Sequence, residues 1–236
     1  MNQLSIIILL SWLAGLTAFA GGILARLEGT AETEGKRELI HGIVAFGGGI
    51  LVSAIAFALV PDGIALLNPT LLAALFCLGG LSFCGLDAWL SRRGGSKAQF
   101  IAMLMDFVPE AIALGALFAH NYNTAILLAL FIGAQNLPEG FNSFREIAAS
   151  GFTTVKTLTA LFAISLLGPV AACTGYYFLQ NHPDLTAGIM CFAGGGILYL
   201  IFQDIAPQSK MRRHWTPPLG AVLGFAFGML GKQLLG

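Results

Sequence analysis

The chain has 236 residues, no net charge, 56% hydrophobic residues and only 10% charged ones. Its mean hydropathy is +0.80, whereas a soluble domain carries roughly 25% charged residues. This excludes a soluble globular protein and gives no reason to expect a nucleic-acid partner; it predicts an all-α integral membrane protein.

Eight apolar segments are long enough to cross a bilayer, each crossing needing roughly 20 residues. They fall at about 4–25, 40–60, 70–90, 99–119, 124–144, 155–179, 186–206 and 217–235. Lys and Arg total 12, and all but Lys232 follow the odd-numbered spans: Arg26, Lys36 and Arg37; Arg92, Arg93 and Lys97; Arg145 and Lys156; Lys210, Arg212 and Arg213. Cytoplasmic loops carry the excess of such residues. The pattern therefore predicts a multi-pass protein of the cell (inner) membrane with both termini extracytoplasmic, its residues 1–236 forming a single transmembrane domain.

The first span is rich in Gly and Ala, residues that let membrane helices approach closely. The stretch from Arg26 to His41 reads as a long, mobile cytoplasmic loop. The second span contains Gly47-Gly48-Gly49-Ile50-Leu51 and ends near Pro61; the seventh contains Gly194-Gly195-Gly196-Ile197-Leu198 and ends near Pro207. In an eight-span chain these two run in opposite directions, as an inverted repeat of spans 1–3 and 6–8 requires. Spans four and five then form an unpaired central hairpin, giving a 3+2+3 arrangement.

The central hairpin holds Asp106-Phe107-Val108-Pro109-Glu110 and Gln135-Asn136-Leu137-Pro138-Glu139. Positions i and i+4 share a helix face, so Asp106 lies with Glu110 and Gln135 with Glu139. Each Pro removes a backbone donor and frees a carbonyl four residues earlier, here those of Met105 and Ala134. An ionisable group at this depth costs at least about 2.5–3.5 kcal/mol, and unpaired carboxylates in low dielectric repel one another. A cation or protons must neutralise them, and hard divalent cations favour such oxygen ligands. Candidate metal ligands are Asp106, Glu110, Gln135 and Glu139, with Asn136 either a ligand or a helix–helix hydrogen bond.

Beyond the hairpin, Arg145 and Glu146 read as an interfacial ion pair. Asp204, near the end of the seventh span, is either a helix-end charge reaching the interface or a metal ligand on the exit side. The four His (His41, His120, His182 and His214) fall at loops or span ends, and the four Cys lie inside spans without zinc-finger spacing. No His-Glu-x-x-His or comparable catalytic motif is present, so an enzyme is not expected.

At Gln135-Asn136-Leu137-Pro138-Glu139-Gly140 the chain resembles the ZIP (Zrt-, Irt-like protein) family of divalent metal transporters, whose fifth span often reads (Gln/His)-(Asn/Asp/Glu)-x-Pro-Glu-Gly. The family's fourth span typically reads His-Asn-x-Pro-Glu-Gly; here only Pro109 and Glu110 match. The seventh span, from Gly196 through Asp204 to Pro207, is also similar. The resemblance implies eight spans and divalent metal transport toward the cytoplasm through a carboxylate-rich site between helices 4 and 5. The cargo would be Zn²⁺, Mn²⁺, Fe²⁺ or Cd²⁺, with no resident cofactor, and a homodimer is among the assemblies it allows. Family members often hold two adjacent metals. Here Asp106 replaces the usual His, Phe107 the usual Asn, and Gly168 a frequent Glu, so one competent site is expected. The alternative is a degenerate relative that binds metal as a sensor and does not transport it.

Overall fold

The computed structural model describes residues 2–29, 33–93 and 96–235. Residues 30–32 and 94–95, inside two of the loops read as cytoplasmic, lie outside the described residues. Regular structure among the described residues is entirely helical, and it forms eight helices. They are α1 (Gln3–Glu28), α2 (Glu34–Leu66), α3 (Pro69–Arg93), α4 (Ser96–Leu117), α5 (Tyr122–Ala149), α6 (Thr154–Leu179), α7 (Pro183–Gln208) and α8 (Leu219–Leu235). Six of them are long and apolar enough to cross a membrane by length and composition; α4 and α8 complete the bundle.

The predicted mobile loop is mostly helix. α1 continues to Glu28, and α2 already starts at Glu34, where the Thr33 side chain accepts a hydrogen bond from Lys36 N. A hydroxyl at that position satisfies one of the four amides every helix start leaves unpaired. Charge alone made this stretch look like a loop, but amphipathic polar ends extend helices beyond the lipid.

The main neighbours are α1 with α5, α4 with α6, α2 with α8 and α3 with α7. α2 also packs on α5, α7 on α4, and α1 on α6. Exchanging α1 with α6, α2 with α7, α3 with α8 and α4 with α5 turns this set of neighbours into itself, as an inverted repeat demands. The glycines follow the same rule. A Cβ on Gly21 would overlap the Leu137 carbonyl and one on Gly140 the Ala18 carbonyl, closing α1 onto α5. In the mirrored pair α4–α6, Gly115 meets Ala172 and Gly175 meets Ile112 in the same way. Lipid provides no hydrophobic force between helices, so backbone approach at small residues supplies much of the packing energy.

The two Gly-Gly-Gly-Ile-Leu helices share a further detail. Each carries one π-helical turn, Ile55–Leu59 in α2 and Ile201–Ile205 in α7. In each, the residue before the Pro donates five residues back: Val60 N to Ile55 O, then Pro61; Ala206 N to Ile201 O, then Pro207. The Pro ring would crowd the carbonyl four residues earlier, and the wider turn relieves that crowding. α6 is interrupted instead, at Leu166, three residues before Pro169.

Candidate metal centre

The hairpin of α4 and α5 places both Pro-Glu motifs in the middle of the bundle. Asp106, Glu110, Gln135 and Asn136 are all buried, Glu110 completely. Glu139 is half-buried. The Gln135 amide nitrogen donates to Glu110 Oε2 at 2.7 Å and approaches Asp106 Oδ2 at 3.5 Å. A single amide thus bridges the two carboxylates of the facing helix, as the shared-face reading requires.

Four buried side-chain polar atoms have no hydrogen-bond partner among the described residues: Trp12 Nε1, Asp106 Oδ1, Glu110 Oε1 and Gln135 Oε1. Three of the four are oxygens of this one cluster. An unpartnered buried acceptor loses its hydration without compensation, and three together in low dielectric make a strongly electronegative spot. Among the described residues, no three His, Cys, Asp or Glu side chains stand close enough together to hold one ion. The amide of Gln135, inserted between Asp106 and Glu110, is a donor where a cation would need oxygen.

Asp106, Gln135, Pro138 and Glu139 line the inner end of a cavity of about 310 Å³. It passes between α2, α3, α5 and α7 and reaches Ser91, Glu146 and Gln208 at the helix ends. Gly47 makes room for it: a Cβ there would stand 2.8 Å from Pro138 Cγ. Asp204, in the π turn of α7, and Asp87 on α3 also line it. On the far side of Glu110 the bundle is sealed by a fully buried apolar core, including Leu59, Leu114, Leu127 and Phe131. The cavity is therefore open toward one membrane face and shut toward the other.

The remaining candidates separate. Asn136 Nδ2 donates to the Ala14 carbonyl at 3.1 Å, tying α5 to α1. Arg145 does not pair with Glu146; its guanidinium meets Glu28 of α1 at 2.7 Å, while Glu146 accepts from Asn142 at 3.0 Å and faces the cavity. Residues one apart on a helix do not face each other, so sequence adjacency was the wrong guide. His120 and His182 are exposed, His41 contacts the Gln208 carbonyl, and His214 lies between Glu34 at 3.0 Å and Glu38 at 3.4 Å.

Phe107 and Gly168 fit one another. A Cβ on Gly168 would stand 2.8 Å from Phe107 Cζ and 2.7 Å from the Ser11 carbonyl oxygen, and one on Gly15 would stand 2.8 Å from the same ring atom. The ring of Phe107, 3% exposed, fills the space between α1 and α6 that both glycines leave. Asp87 escaped the sequence reading, although an acid inside an apolar span was the signal that picked out Glu110. The Tyr199 hydroxyl donates to it at 3.0 Å.

Fold and site define a polytopic, all-α membrane protein with a buried acidic cluster at the inner end of a one-sided cavity. Zinc transporter GufA of Myxococcus xanthus is 33% identical over 140 residues, which cover 58% of this chain and 54% of that protein; the match spans about half the length of that relative. Zinc transporter ZupT of Escherichia fergusonii is 28% identical over 242 residues, 98% of this chain and 86% of the relative. ZupT of Shigella flexneri serotype 5b is 28% identical over 250 residues, again 98% and 86%. No family profile matches the chain. These relatives bear out the resemblance to the ZIP family.

Proposed function

We propose that this protein carries a divalent metal ion across the cell membrane toward the cytoplasm, with Asp106, Glu110, Gln135 and Glu139 as its transient ligands. The observation that carries the reading is the cluster of unpartnered oxygens on Asp106, Glu110 and Gln135 beside the inner end of the cavity. The names of the relatives, all zinc transporters, make Zn²⁺ the first cargo to test. The carboxylate-rich donor set also suits harder ions such as Mn²⁺ or Fe²⁺.

The chain's residues suggest how a cation is taken and released. The Gln135 nitrogen holds Glu110 Oε2 and approaches Asp106 Oδ2, so a cation that draws both oxygens of each carboxylate displaces it, and a turn of the amide offers Oε1 in its place. That exchange replaces one donor bridge by a stronger charge and links ion binding to a side-chain rotation on α5. Asp204, Asp87 and Glu146 all line the cavity, which keeps the exit path electronegative. The excess of Lys and Arg at the cavity's open end supports a cytoplasmic placement of that end.

Uptake of Zn²⁺ into liposomes containing an encapsulated fluorescent indicator tests the reading, with Glu110→Ala and Glu139→Ala as controls. Saturable uptake lost in both variants is the expected result; wild-type uptake in both would overturn it. Orientation is tested by an impermeant thiol reagent on intact cells, which should label Asn181→Cys and spare Arg212→Cys. Asp106, standing where the resembled family usually has a His, favours a second reading, a metal-binding protein that does not transport. Tight Zn²⁺ binding without uptake by the wild type would establish it.

A further inference from the structure

A second cavity, of about 930 Å³, opens between α2, α7 and α8. Its floor is apolar: Val52 from α2, Ile201 from α7, and Val222, Phe225, Ala226 and Met229 from α8. Its mouth carries a different chemistry. Lys210, Arg212, Arg213 and Trp215 of the α7–α8 connection all line it, and Trp215 is 87% exposed. No carboxylate pairs with these three cations among the described residues. The two acids that α2 sends to this connection, Glu34 and Glu38, are engaged by His214 and Thr216. Arg213 is also the one non-glycine residue with a left-handed backbone among those described, at φ 67°, a conformation uncommon for a side-chain-bearing residue.

We infer that this groove seats one anionic phospholipid, its acyl chains along α2 and α8 and its phosphate on Lys210, Arg212 and Arg213. The volume lies in the upper part of the range of roughly 300–1,000 Å³ found for ligand pockets. Guanidinium groups match phosphate oxygens in geometry as well as charge. Indole rings favour the headgroup level, where one side is apolar and the other wet. A basic pocket between transmembrane helices is the arrangement that holds acidic headgroups. A zwitterionic phospholipid would leave the three cations without a net counter-charge, and a second copy of this chain would have to bury them against its own basic connection.

The groove also touches the acidic cavity. Gly48 and Ile205 line both, and a Cβ on Gly48 would stand 2.8 Å from Ile205 Cγ2. The wall between the two is one side chain thick, so a seated lipid braces the π turn that carries Asp204.

The test uses Trp215 as its own reporter. The chain has three Trp, so a Trp12→Phe/Trp89→Phe background leaves Trp215 alone. The protein is reconstituted in vesicles doped with brominated phosphatidylglycerol or brominated phosphatidylcholine, and quenching is read against mole fraction. Phosphatidylglycerol should reach half-maximal quenching at a mole fraction at least about tenfold lower, because each cation near the surface adds its own attraction to an anionic headgroup. Lys210→Gln/Arg212→Gln/Arg213→Gln should abolish that preference. Ala226→Phe, which fills the floor and leaves the cations in place, should weaken quenching by phosphatidylglycerol. Equal quenching by the two lipids in the wild type would overturn the inference. So would a preference that survives the triple substitution, or one undiminished by Ala226→Phe, which would mean a general surface attraction. Shielding of Trp215 from both lipids in a dimeric protein would show that a second copy covers the groove.

Discussion

α4 and α5 carry the same motif spacing on helices related by the internal repeat, yet the two motifs have come to differ position by position. Asp106 corresponds to Gln135, Phe107 to Asn136 and Glu110 to Glu139. The first pair sits at the cavity end, one as an acceptor and the other bridging it as a donor. The second pair points toward α1, but Asn136 makes a hydrogen bond there whereas Phe107 fills volume against Gly15 and Gly168. The third pair is fully buried on α4 and half-buried on α5. A symmetric frame therefore holds an asymmetric site. Only the Pro-Glu pair is kept in both copies, and the neighbours have specialised, one side for packing and the other for polar contact.

The largest expected effect breaks the pair that is kept. Glu110→Ala and Glu139→Ala should each reduce metal uptake by at least about tenfold, the lower end of what losing even an outer-shell partner does to metal affinity. Unequal losses, with Glu139→Ala retaining uptake, would assign the cation to α4 alone. Next is the packed position. Phe107→Ala should destabilise the detergent-solubilised protein by about 3 kcal/mol through the cavity it leaves, read as a lower melting temperature. Gly168→Ala should also destabilise it, and the double variant should cost less than the sum, because the added methyl enters space the ring has vacated. Strict additivity would mean the ring and the glycine do not share that space.

The cavity end should respond more subtly. Asp106→His replaces a hard anionic donor by imidazole, so in competition uptake it should raise preference for Zn²⁺ or Cd²⁺ over Mn²⁺ by about tenfold, the equivalent of roughly 1.4 kcal/mol. Unchanged selectivity in both Asp106→His and Asp106→Ala would remove Asp106 from the site. Wild-type uptake should weaken as external pH falls, because protons compete with the metal for the same oxygens. The smallest effect is expected at Asn136→Ala, about 0.6 kcal/mol of stability for an interhelical hydrogen bond in a membrane, with uptake unchanged. Loss of uptake there would make Asn136 a ligand after all.

The frame was legible because its signals are periodic or covalent: apolar length, the sign of loop charges, and Pro. Repeated Gly-Gly-Gly-Ile-Leu runs pointed to the inverted repeat, and the reciprocal glycine contacts are how it is built. The Pro after each run even marked where a π turn would fall, though spacing alone did not reveal the turn. Asp106, Glu110, Gln135 and Glu139 stood out because polar groups at that depth are costly. The partners of surface charges did not: Glu28 reaches Arg145 across 117 positions, and no local pattern encodes such a contact. Asp87 was passed over, and Glu146 was read as a partner of Arg145, because only the folded chain shows that a cavity runs past them.

Helix length has a consequence for the bilayer itself. α2 has 33 residues, about 50 Å at 1.5 Å per residue. The hydrocarbon core is roughly 30 Å thick. One end of α2 must therefore project into water, and that end carries Glu34 and Glu38 clear of the lipid, where they hold His214. Lengthening the acyl chains of the surrounding lipid brings the membrane surface up toward this acidic end.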